Sequence, residues 1–343
     1  YFAAQVSGGS HLWRQRGPDG VPEQITFGPT VEAGIAVDPD GRSLITSIGE
    51  HGSSLCLHAP AGDRQLSSEG QVLGRILYSP DGEYVYYLAR RDVGVGRREL
   101  RRLRLRTGEI EDVLSAVPIL SFDISPDGTQ IVYTAPAAND STQIWVAPID
   151  RRAAAKPLGL VGDRTPFFGP DSEVLFAFTE KNANYLGRIH TDGSGRSKVV
   201  AYPISDLIGV SPGRRWVMAI APLLDRTTVA IMAIPVAGGP PTRICENYCH
   251  TAWSTDGKFL FASVEEASLS SPGRALAIPV GPDETLPAFP ATGIPPLANA
   301  SAMPGARSVP RAEIVAGRDP DTFLYVQTSV HRNLFRVWLP TGR

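Results

Sequence analysis

The sequence predicts an all-β fold built from repeated four-stranded antiparallel units. Three observations carry that prediction. The apolar stretches are short and rich in β-branched and aromatic residues, one four-residue turn recurs between them, and it recurs at a nearly constant interval. The turn is clearest within residues 76–89, where two apolar runs flank Ser79-Pro80-Asp81-Gly82. Pro80 presets φ for the second turn position, Asp81 tolerates the bridge region, and Gly82 adopts positive φ without steric cost. Such a stretch is a tight β-hairpin.

The turn serves as a ruler. Its proline falls at Pro39, Pro80, Pro126, Pro170 and Pro212, Thr255 replaces it in the next copy, and the steps run from 41 to 46 residues. A degenerate copy, Asp319-Pro320-Asp321-Thr322, follows after a longer step. The excess is a Pro/Ala/Gly-rich insertion over residues 281–309 with little strand signal. Each unit reads alike. An inner strand such as Phe122-Asp123-Ile124 enters the turn, and a second such as Ile131-Val132-Tyr133 leaves it. After a polar loop comes a third, as in Gln143-Ile144-Trp145-Val146, then a short fourth, as in Thr242-Arg243-Ile244-Cys245. Four short strands every 40 to 45 residues is the period of a β-propeller blade. Helical solenoids are excluded, because the apolar runs are short and separated by Gly/Pro/Asp turns.

The expected organisation is a single propeller domain over 1–343. It comprises a partial N-terminal blade (1–27), six repeats (35–280), the insertion (281–309) and a C-terminal blade (310–343). Second-strand and third-strand signatures each occur eight times, so eight blades are expected, with seven as the alternative if the termini share one. Sharing a blade closes the ring and protects its edge strands.

Composition bounds the function. The chain is 42% hydrophobic, and 34 Gly with 30 Pro suit many turns. A formal net charge of −2 argues against a dedicated nucleic-acid partner. No apolar run is long enough to span a membrane as a helix. The chain starts at Tyr1 rather than Met and reads as a fragment of a longer protein.

The repeats resemble the TolB-like, WD-repeat-like propeller family, through the stretches 78–87, 124–133 and 253–261. A narrower resemblance lies in His11-Leu12-Trp13-Arg14-Gln15-Arg16, in Pro18-Asp19-Gly20, in Pro22-Glu23-Gln24-Ile25-Thr26-Phe27-Gly28-Pro29-Thr30, in Gly41-Arg42-Ser43-Leu44-Ile45-Thr46-Ser47 and in Arg332-Asn333-Leu334-Phe335-Arg336. These are similar to propellers that lie C-terminal to a bacterial serine/threonine protein kinase and a membrane helix. The resemblance implies an extracytoplasmic sensor of a receptor-like kinase. No kinase motif occurs in this chain.

The repeated turns read as structural: Asp40, Gly41, Asp81, Gly82, Asp127, Gly128, Asp171, Asp256 and Gly257. Each Asp is expected to cap backbone N–H groups. One carboxylate per turn is too few for a calcium site. The opposite face carries the variable polar loops, and recognition concentrates on such loops. Its expected ligand residues are His51, Arg91, Asn139, Asp140, Asn182, Asp225, His250 and His331. The partner is a small ligand, peptide, glycan or protein. The three histidines come from different blades, so no metal is assigned, and no cofactor is expected. Cys245 and Cys249 form either a local disulfide or two free thiols. In the Arg-rich run 97–106, Leu103 and Leu105 alternate with arginines, which reads as an outer amphipathic strand partly neutralised by Glu109, Glu111 and Asp112, with a basic patch for phosphate headgroups or an acidic partner as the alternative.

A Gly-x-Ser-x-Gly nucleophile elbow is absent, and Ser194 falls in a strand-to-strand turn. The chain therefore reads as a non-catalytic binding module. The alternatives are the gating propeller of a prolyl-oligopeptidase-type serine peptidase and a periplasmic protein-interaction scaffold.

Overall fold

The computed structural model describes all residues except 7–8, 29–30, 68–70, 91–97, 115–116, 224–227, 269–270 and 340–343. The chain begins with three strands in one sheet: β1 (Phe2–Val6), β2 (Gly9–Arg14) and β3 (Glu23–Gln24). Then come β4 (Val31–Val37), β5 (Ser43–His58) and β6 (Arg64–Gln65). Five four-stranded antiparallel sheets follow in sequence. The first holds β7 (Gln71–Tyr78), β8 (Tyr84–Arg90), β9 (Arg98–Arg104) and β10 (Ile110–Leu114). The second holds β11 (Ser121–Ile124), β12 (Gln130–Pro136), β13 (Thr142–Pro148) and β14 (Lys156–Leu158). The third holds β15 (Arg164–Phe168), β16 (Glu173–Glu180), β17 (Ala183–His190) and β18 (Ser197–Lys198). The fourth holds β19 (Asp206–Val210), β20 (Trp216–Pro222), β21 (Val229–Pro235) and β22 (Thr242–Arg243). The fifth holds β23 (Thr251–Trp253), β24 (Phe259–Glu265), β25 (Arg274–Pro279) and β26 (Arg307–Val309). The chain ends with β27 (Val315–Ala316) and β28 (Phe323–Trp338).

The two ends of the chain join. β28 pairs with β5 along sixteen residues, from Phe323 opposite His58 to Trp338 opposite Ser43. Near one end of this ladder β27 pairs with β28 and β6 pairs with β5, which completes a closing blade. Near the other end β4 pairs with β5. Second strands elsewhere are seven or eight residues long. The far half of the ladder therefore extends past the blade.

Apolar layers between sheets show that the ring closes. Tyr86, Leu88 and Leu100 meet Phe122, Ile131 and Tyr133. Val132 and Ile144 meet Val174 and Phe176. Leu175 and Leu186 meet Leu207, Val217 and Ile234. Met218, Ile231 and Ile244 meet Leu260, Leu276 and Ile278. Phe261 and Val309 meet Phe323 and Tyr325. Leu55 and Leu324 of the closing blade meet Val72, Val85 and Leu103 of the first, completing the cycle. Burying one such side chain contributes about 1.5–3 kcal/mol, so the layers are the main cohesion between blades. A separate small cluster of Leu12, Leu44 and Leu339 lies outside the cycle and holds the β1–β3 sheet to the extension.

The described strands thus form seven sheets, six of them in the ring, rather than eight blades. The higher expectation came from treating residues 49–52 and 329–332 as hairpin loops. They are strand: His51 lies opposite Val330, and His331 opposite Glu50. Two hairpins that would each have made a blade instead pair with one another. Gly49 and Gly52 lie outside positive φ, and the stretch Thr328-Ser329-Val330-His331-Arg332 holds no Gly or Pro to reverse the chain.

The repeated turns are as regular as their sequence suggests. Ser79, Ser125 and Ser254 each donate a side-chain hydrogen bond to Asp81, Asp127 and Asp256, two residues on. Each Asp in turn accepts a backbone N–H from the residue two further along: Glu83, Thr129 or Lys258. Asp40 accepts the Arg42 N–H likewise, but its turn joins β4 to β5 at the tip of the extension, away from the ring. The third-blade turn departs from the pattern. Gly169 replaces the Ser, its N–H bonds Glu173 four residues on, and Asp171 takes φ 48°. Asp171 therefore shapes this turn through its backbone conformation.

Candidate functional site

The face that carries the ring's turns also carries a cavity of about 570 Å³. It sits over the closing blade. Three turns border it: Ser79, Pro80 and Gly82 of the first blade, Thr255 and Asp256 of the fifth, and Gly317, Arg318 and Asp319 of the closing blade. Tyr78, Leu57 and Leu105 supply apolar surface. This size is within the range of small-ligand pockets.

Hydrogen bonds between blades pin the walls. The Thr255 N–H donates to the Gly317 carbonyl (2.9 Å), tying the fifth blade to the closing blade. Arg64 Nη2 donates to the Leu105 carbonyl (2.8 Å), tying the closing blade to the first. Lys258 pairs with Asp256 at 3.1 Å. Tyr78 ends β7, and its phenolic oxygen is buried without a hydrogen-bond partner among the described residues. Burial pushes the phenol's pKa up, and the negative charge of Asp319 adds to the effect. Tyr78 is therefore a neutral donor aimed at no acceptor of its own. The Ser79 hydroxyl is committed to Asp81 and to the Tyr84 carbonyl. No histidine or cysteine lines the cavity.

A second polar cluster joins the inner strands. Arg75 lies at an irregularity of β7 between Val72 and Ile76. Its Nη2 reaches Asp123 of β11 at 3.1 Å, and Arg214 of the β19–β20 turn reaches the same carboxylate at 3.0 Å. This cluster was not legible in the sequence, because its members are 48 and 91 residues apart.

The loop residues expected to bind ligand lie elsewhere. Asn139 and Asp140 form the β12–β13 turn with φ 57° and 54°. Asn182 (φ 63°) and Lys181 (φ 48°) form the two-residue β16–β17 turn. Asn and Asp tolerate this left-handed region, so backbone geometry accounts for these residue types. His250 lies in the exposed link before β23, and its N–H donates to Ser263 Oγ. His331 is exposed within β28, and His51 is within β5. Arg91 and Asp225 lie outside the described residues. The structure brings none of the histidines into a metal-ligating group among the described residues. Cys245 is bonded to Cys249, between β22 and β23. Arg101 and Arg102 of the Arg-rich strand pair with Asp112 and Glu111 on β10. Ser194 donates to Asp192 within its own turn.

No protein-family model and no curated protein matches the chain. Solved structures do. The fold is similar to a TolB-type protein of Agrobacterium tumefaciens, with 15% identity over 82% of this chain and 99% of that one, at a TM-score of 0.56. It is also similar to TolB of Acinetobacter baumannii, with 11% identity over 73% of this chain and 77% of that one, at a TM-score of 0.51. Likeness at this identity speaks to architecture rather than activity. The chain is a β-propeller whose architecture resembles the TolB structures.

Proposed function

We propose that this propeller is a non-catalytic recognition domain that takes its ligand on the turn face, at the seam where the ring closes. The observation that carries the reading is a cavity of about 570 Å³ walled by Leu57, Tyr78 and Leu105 and rimmed by Arg318, where three turns meet at the ring seam. Apolar walls with a few polar groups at the rim are the usual make-up of a small-ligand pocket. The partner is a small molecule, a glycan, a peptide or a protruding loop of a protein, and binding needs no cofactor. The resemblance of residues 11–30 and 332–336 to kinase-linked propellers supports a place in the extracytoplasmic part of a membrane-anchored serine/threonine kinase. The Cys245–Cys249 bond accords with an oxidising compartment.

A library of glycans, peptides and metabolites screened by thermal shift tests the choice of face. Hits should weaken in Tyr78→Ala and Arg318→Ala. They should persist in Asn139→Gly and Asn182→Gly, which keep the positive-φ turns. The opposite pattern would move the site to the other face. The parent gene tests the kinase assignment separately, since a kinase segment and a membrane helix should precede this domain.

A further inference from the structure

The cluster of Arg75, Asp123 and Arg214 holds more positive than negative charge in a largely enclosed place. The Asp123 carboxylate accepts three hydrogen bonds among the described residues. It accepts from Arg75 Nη2 (3.1 Å), Arg214 Nη1 (3.0 Å) and the Phe168 N–H (2.9 Å). Arg214 also donates to the carbonyls of Phe168 (3.0 Å) and Ile124 (3.3 Å). Among the described residues Arg75 makes one side-chain hydrogen bond, to Asp123, and it lays its guanidinium 4.2 Å above the centre of the Phe167 ring. Two guanidinium groups thus share one carboxylate. The Nε groups of both are buried without a partner among the described residues.

Exposure ranks the three. The Arg75 side chain is 25% exposed, that of Arg214 16% and that of Asp123 5%. Arg75 is the most exposed of the three. Burial pulls the Arg75 pKa down, Asp123 opposes that, and the neighbouring Arg214 charge adds to the lowering. A buried net positive charge is stable only when an anion or further hydrogen bonds complete it.

We propose that Arg75 is the contact residue of an anion site on the inner strands, taking the planar or tetrahedral oxygens of a carboxylate or phosphate group. Asp123 and Arg214 act as positioning residues. Asp123 fixes the Arg75 guanidinium from one side, and Arg214, on the fourth blade's turn, ties Asp123 of the second blade to Phe168 of the third. A rigid guanidinium fork suits two anionic oxygens at once, which a lysine cannot match. The site is separate from the cavity at the ring seam and stands whether or not that cavity is used.

Titration of the full chain with inorganic phosphate, and separately with acetate, tests the proposal by calorimetry at constant ionic strength. Saturable binding of either anion is expected, and the preferred anion distinguishes a phosphoryl group from a carboxylate as the natural ligand. Arg75→Ala should weaken binding by roughly tenfold or more, and Arg75→Lys should fall between that variant and the wild type. Asp123→Asn leaves one acceptor oxygen where the carboxylate has two, loosens the Arg75 guanidinium and should weaken binding less than Arg75→Ala does, and Asp123→Glu, which restores the carboxylate, should recover part of the loss. Absence of saturable binding overturns the proposal. So does binding that is equal in the wild type and in folded Arg75→Ala, or in folded Arg75→Lys should the alanine variant fail to fold.

Discussion

The fourth blade's turn differs from those of the first, second and fifth, and the difference shows how a missing residue is replaced from a distance. In the first, second and fifth blades the Ser hydroxyl bonds the Asp of its own turn. The fourth blade has the same backbone hydrogen bonds, from the Ser211 N–H to the Trp216 carbonyl and from the Arg214 N–H to the Ser211 carbonyl. In Ser211-Pro212-Gly213-Arg214, however, Gly213 stands where the Asp should be. Glu284, from the insertion between β25 and β26, takes over. Its Oε2 accepts the Ser211 hydroxyl and its Oε1 the Gly213 N–H, each at 2.5 Å. Its backbone carbonyl accepts the Trp216 indole N–H at 2.8 Å. A Cβ added at Gly213 would lie 3.0 Å from the Glu284 carboxyl, so the small residue leaves room for the borrowed one. A local cap has become a long-range one, 73 residues apart. The same substitution frees the next position: Arg214 occupies the usual Gly site at φ 59° and turns inward to Asp123.

The largest expected effect is on the borrowed cap. Glu284→Ala removes the acceptor of the buried Ser211 hydroxyl and should cost on the order of 2–3 kcal/mol, read as a lower urea midpoint. Next is the repair. Gly213→Asp alone should destabilise, because it places a second carboxylate against Glu284. In the Glu284→Ala background it should recover about 1–2 kcal/mol. A double-mutant cycle with no favourable coupling would show that the two caps are not equivalent. Smaller again is Asp127→Ala, expected to cost roughly 1 kcal/mol as for other local caps. This loss should not depend on Glu284.

The smallest effect is on pH dependence. The Ser79 hydroxyl and the Glu83 N–H hold the Asp81 carboxyl below its usual value, and the Ser125 hydroxyl and the Thr129 N–H do the same for Asp127. A depressed folded pKa means stability that is complete above the unfolded value of about 4 and is lost as pH falls through the folded one. Asp127→Asn should therefore flatten the stability curve below about pH 4, measured by thermal melts across that range. Both carboxylates are near solvent, so the change in slope should be small.

Much of the fold was legible because its signals are local. Pro126-Asp127-Gly128 makes a turn wherever it occurs, and Ile131-Val132-Tyr133 makes a strand beside it. Even the seven turn markers were counted correctly: six lie on the ring and one, at Pro39, lies at the tip of the extension. The candidate site was far less legible. Tyr78 and Arg318 are 240 residues apart in sequence and share a cavity only because the ring closes. Glu284 sits in a segment that carried no strand signal, yet it completes a turn in the neighbouring blade.

Period, turn type and strand content follow from neighbouring residues, since φ preference and alternating burial are decided within a few positions of the chain. Partnership does not. Whether β5 folds back on itself or pairs with β28 depends on two segments nearly three hundred residues apart, and either arrangement satisfies the same backbone donors and acceptors. The number of blades in the ring, the charge gathered at Asp123 and the loan of Glu284 to the fourth blade are decided there, in the geometry of closure.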